Sequence, residues 1–214
     1  MNLQKPLLRG HIHQASFFVA LGACGFLIST CNSRLEYIAT TIYTLGLLLM
    51  LGVSTLYHRI HWEPKPRKIM KKLDHCMIYL LIAATSTPVS IFALSESSNT
   101  KLLLSVWGVA LVGILQSLFF VNLPKIVSAL IYLFAGYMVL PYVSELHTSL
   151  GTAKLALLAG GGLAYSIGAV CYGLKRPKLI PQFFGYHEVF HALVSLGAFL
   201  HFWAIKSILE MARS

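Results

Sequence analysis

The stretch GYHEVFHALVSLGAFLHFWAI, Gly185 to Ile205, holds His187, Glu188 and His191 in the order H-E-x-x-H. Two readings compete for it. A metalloprotease helix would carry two zinc ligands and a general base there, with a third ligand downstream. A membrane-spanning helix needs about 20 apolar residues and tolerates polar groups where they find partners. Geometry favours the second. Glu210 could complete a set of two histidines and one glutamate, but residues 192–209 form an apolar run. A helix rising about 1.5 Å per residue puts Glu210 about 28 Å beyond His191. The variant motif with a histidine six residues further on fails because position 197 is Gly. The motif therefore reads as H-x-x-x-H, with Glu188 incidental to any metal and Glu188→Gln expected to have little effect.

The rest of the chain agrees with a membrane. Its 214 residues are 57% hydrophobic and 11% charged, and the mean hydropathy is +0.71. That leaves too little polar side chain to cover a water-facing surface. Apolar runs of spanning length lie near 15–31, 37–57, 74–94, 101–121, 125–144, 152–174 and 185–207. The expectation is an all-α protein, a seven-transmembrane helix bundle in the cell membrane. Short connectors, no linker and no internal repeat make residues 1–214 a single domain. The first run, preceded by Lys5 and Arg9 and ending at LISTC, resembles a signal peptide or lipobox; Thr30 before Cys31 suits a lipobox poorly, so it reads as a retained first helix.

A formal net charge of +10 raises the possibility of nucleic-acid binding, but the placement of the charges answers it. Twelve of the seventeen Lys and Arg fall at the N-terminus and in the loops at 59–72, near Lys125 and at 175–178; the other five are Arg34, Lys101, Lys154, Lys206 and Arg213. This asymmetry places the N-terminus in the cytoplasm and the C-terminus outside, and it argues against a nucleic-acid partner. Cys24, Cys31, Cys76 and Cys171 show no C-x-x-C spacing and read as packing residues. The glycines between Gly160 and Gly173 suit close helix approach.

Ionisable groups inside a bilayer are costly, so each is a functional candidate with a partner to be found. Ser54 and His58 lie four apart on one face at the cytoplasmic end of the second run. Asp74 and His75 open the third run on the same side, and His187 and His191 enter the seventh from there. Three neutral imidazoles with an open fourth position make a catalytic zinc site. His58, His187 and His191 supply the metal ligands; Asp74 can orient the water and take its proton, and Ser54 can hydrogen-bond the site or a substrate oxygen. The alternative is that these are interfacial histidines bonded between packed helices. His201 lies about 15 Å past His191 and reads as a hydrogen-bonded packing residue. His61 and His147 read as loop or interface residues, and His75 points about 100° away from Asp74.

RGHIH (Arg9–His13), STLYHR (Ser54–Arg59), KLDHCMIYLLIAATSTP (Lys72–Pro88) and LKRPKLIPQFFGYHEVFHALVSLGAFLHF (Leu174–Phe202) resemble, in order and over nearly the full chain, the signature blocks of the bacterial hemolysin III family. That family is related to the progestin and adipoQ receptors and, more distantly, to alkaline ceramidases. The resemblance implies seven helices with the N-terminus inside and a zinc on three histidines near the cytoplasmic face, carried over to His58, His187 and His191 with Ser54 and Asp74 beside the water. One departure is AATSTP where AGTYTP is expected, at Ala84 and Ser86. The leading function is a membrane-embedded zinc hydrolase acting on a lipid-like amide, with membrane lipids as its partners. The alternatives are a cytolytic membrane protein, which the family name suggests although no amphipathic pore-lining segment is evident, and a receptor-like sensor in which zinc is structural. The sequence does not specify an oligomeric state.

Overall fold

Segments that exclude water must satisfy their backbone groups internally, and here they do so as helices. The computed structural model describes residues 6–120, 122–180 and 182–213; Lys5, one of the charges counted above, lies outside them. The elements are α1 (His11–Ser29), α2 (Arg34–Arg59), α3 (Pro64–Ala93), α4 (Glu96–Phe119), α5 (Lys125–Gly136), a short 3₁₀ helix (Tyr137–Tyr142), α6 (Val143–Leu174) and α7 (Tyr186–Arg213). The architecture is all-helical.

The expected count of spanning helices needs correction. Six helices, not seven, are long and apolar enough to cross a membrane among the described residues. The runs at 125–144 and 152–174 do not stand apart, because the chain stays helical between them and Lys125–Leu174 forms one stretch of 50 residues. It is not straight. Gly151, at φ 72 and ψ 172, breaks the helical geometry in a conformation that only glycine takes without strain. α5 lies back along α6, with Ile126 beside Gly173 and the Tyr137 and Ser166 hydroxyls 2.7 Å apart.

The helix starts follow local chemistry. Ser33 caps α2 by accepting the Glu36 N–H at 3.2 Å, and Glu36 accepts the N–H of Asn32, the residue before the cap, at 3.0 Å, a variant of the capping box. Pro64 stands at the first turn of α3, where its missing N–H costs nothing. α3 therefore begins ten residues before the expected run, and Lys65 to Lys72 ride on its first turns instead of in a loop.

α1 and α7 run side by side in the same direction. Ser16 donates to Ser195 at 2.9 Å near their starts, and Phe26 and Leu27 border the same hollow as Lys206 and Leu209 near their ends. Arg213, at the end of α7, pairs with Glu36 at 2.8 Å. The interior is apolar, centred on Tyr43, Leu47, Leu51, Ile205 and Ile208, with a second cluster around Tyr79, Leu102 and Val106. The outside is apolar as well: Val19, Leu104 and Phe119 are 70%, 72% and 74% exposed. Side chains of that kind turned outward on a helical bundle face lipid.

Candidate metal centre

The end of α2 and the start of α7 meet at one end of the bundle. Spacing of four residues brings His187 and His191 onto one face of α7, and His58 reaches them from α2. The ring centroids are 4.8 Å apart for His58 and His187, 5.0 Å for His58 and His191, and 4.7 Å for His187 and His191. One ligand nitrogen from each ring lies within 4.8 Å of the others, close enough to hold a metal ion. The Nε2 atoms of His58 and His187 are 3.2 Å apart. A tetrahedral ion with ligand bonds of about 2.0–2.1 Å needs nitrogens about 3.3 Å apart. The His58–His187 spacing matches such an ion, and the three imidazoles are a donor set that could hold one.

Asp74, ten residues into α3, places Oδ2 3.9 Å from His58 Nε2, and the Asp74 side chain is 16% exposed. The Ser54 hydroxyl, buried one turn before His58, interacts with the Asp74 carboxylate and lies 3.0 Å from His13 Nδ1. The five site residues read from the sequence thus gather in one place. His201 stays apart, as expected, with Nε2 3.0 Å from the Leu158 carbonyl. The four cysteines are free thiols. Of the two departures in α3, Ala84 is fully buried and Ser86 donates to the Ile82 carbonyl of its own helix at 2.9 Å. Both lie about 15 Å or more along α3 from Asp74.

Two residues have roles that the sequence did not disclose. Glu188 is not idle: its side chain is buried, forms an ion pair with Arg9 and accepts the Gly185 N–H at 2.8 Å. It ties the segment before α1 to the start of α7. Glu188 is thus a structural carboxylate, and Glu188→Gln carries a cost in stability that the sequence reading, concerned with turnover, did not include. His13, 2% exposed, stacks on His191 with centroids 3.8 Å apart and planes 6° from parallel. Its sequence signals, a histidine in an apolar helix and its place in the RGHIH block, do not reveal a partner 178 residues away.

The profile of the family described as Haemolysin-III related matches residues 1–202. The chain belongs to this family. It is 33% identical over 206 residues to the hemolysin-3 homolog of Bacillus subtilis (strain 168), covering 95% of this chain and 93% of that protein. It is 33% identical over 168 residues to hemolysin-3 of Bacillus cereus, covering 78% and 74%. It is also 27% identical over 177 residues to the human monocyte to macrophage differentiation factor, covering 79% and 70%. This Haemolysin-III related chain, with its apolar helices, is a multi-pass integral membrane protein in contact with membrane lipids.

Proposed function

We propose that the chain is a membrane-embedded hydrolase that uses zinc on His58, His187 and His191 to cleave a lipid-like amide. The observation that carries this reading is the trio of imidazoles, with a nitrogen spacing suited to a tetrahedral ion and a carboxylate beside it. Bound zinc would polarise a carbonyl and lower the pKa of a coordinated water. Asp74 stands where it can take the proton of the attacking water and pass it to the leaving nitrogen. The Ser54 hydroxyl can donate to the carbonyl oxygen as charge builds there. The distant relation of the hemolysin III family to alkaline ceramidases supports the choice of amide, and the apolar outer surface supports a substrate that arrives from the bilayer. That surface also speaks against direct pore formation.

The reading includes a single domain with its N-terminus cytoplasmic and its C-terminus outside. A straight helix of 50 residues would be about 75 Å long, far beyond a hydrocarbon core of about 30 Å, so the stretch bent at Gly151 is assigned two passes. The common direction of α1 and α7 supports this, because an odd number of passes is needed to produce it. Metal analysis of the purified protein, together with lipid-product analysis of a membrane extract, is the test. Zinc with new fatty-acid products is expected. Zinc without turnover would favour a sensor in which the ion is structural, and absence of bound metal would remove the site.

A further inference from the structure

One face of α1 and the turn before it closes over the metal centre. Arg9 pairs with Glu188, and Gly10, at φ 86, packs so closely that a Cβ there would sit 2.8 Å from the His58 Cβ. His13 stacks on His191 and contacts Ser54, and Ser16 bonds Ser195. These contacts touch α7 three times and α2 twice, at spacings that a helix entered from a tight turn places on one side.

We propose that His13 is a positioning residue of the metal centre, orienting the His191 ring by parallel stacking and the Ser54 hydroxyl by hydrogen bonding. Ligand histidines are held in plane by neighbours that are not ligands, and His191 has no other ring stacked parallel to it among the described contacts. A ring that shares its lone pair with a cation becomes electron-poor, and the face of a neutral imidazole 3.8 Å away is a favourable neighbour for it. The bond to Ser54 has a separate effect. A hydroxyl has one proton, so when Nδ1–H of His13 donates to Ser54 Oγ, that proton is kept for the Asp74 carboxylate, and His13 thereby fixes the hydroxyl between the two.

The inference rests on the metal reading above, and the test separates the two. His13→Asn keeps a polar atom near the Nδ1 position and loses the stacked ring. His13→Phe keeps a ring and loses the bond. Zinc affinity is measured by competition with a chromophoric chelator, the visible spectrum is recorded with Co²⁺ in place of zinc, and thermal unfolding is followed without metal. His13→Asn is expected to weaken zinc binding by about 10- to 100-fold and to shift the cobalt bands, while His13→Phe retains affinity close to wild type. Wild-type affinity and spectrum in both variants would overturn the proposal. So would equal loss in both, or a loss accounted for by lower stability of the metal-free protein, since that is packing alone. Failure of the wild-type chain to bind either ion would overturn both this proposal and the metal reading.

Discussion

Replacing Glu188 with Gln separates a structural carboxylate from a catalytic one. Glu188 follows His187 directly, but successive side chains on a helix diverge by about 100°, and its oxygens are taken up by Arg9 and the Gly185 N–H. Gln keeps the length and an oxygen for Gly185, but leaves the Arg9 guanidinium without a counter-charge. Removing one member of a buried ion pair costs about 3–5 kcal/mol. The Glu188 side chain is 1% exposed and that of Arg9 is 19% exposed, so Arg9 recovers some hydration and the expected cost falls to about 2–3 kcal/mol. That is about a 30- to 140-fold change in the ratio of folded to unfolded chains. Thermal unfolding in detergent, with bound zinc and hydrolysis of a short-chain ceramide measured on the same samples, is the assay. Lower stability with zinc retained by the folded protein is expected. The double variant Arg9→Met with Glu188→Met should recover part of the loss, because no charge is then left buried alone. Unchanged stability with turnover abolished would refute the argument and make Glu188 the general base of a true H-E-x-x-H site.

Three further outcomes are expected. His58→Ala and His187→Ala should each lose bound zinc by elemental analysis; unchanged zinc in both would eliminate the site. Asp74→Asn should retain zinc and the fold while lowering the hydrolytic rate by about 10² to 10⁴, and full activity would show that the base is elsewhere. A cysteine placed at Arg67, on the first turns of α3, should resist an impermeant thiol reagent on intact cells, and ready labelling would reverse the proposed orientation.

Much of this was legible in the residues themselves, because the signals are local. A span is a property of consecutive apolar side chains, and the pairing of Ser54 with His58, or of His187 with His191, follows from the pitch of one helix. The cost of polar groups in lipid then pointed to their having partners. What escaped depends on which helices pack together. Glu188 finds Arg9 at a separation of 179 residues, and His13 finds His191 only because α1 lies parallel to α7. No periodicity records either pairing. The number of separate helices escaped for a related reason. Hydropathy marks where a chain can sit in lipid but not where its backbone turns, so the runs beginning at Lys125 and ending at Leu174 read as two spans while the chain between them stayed helical and broke at Gly151. The sequence alone settled the helical class and the histidine pairs, which are contacts within a few residues; packing between distant helices decided how α1 closes the site, because only folded geometry brings residues so far apart in the chain within bonding distance.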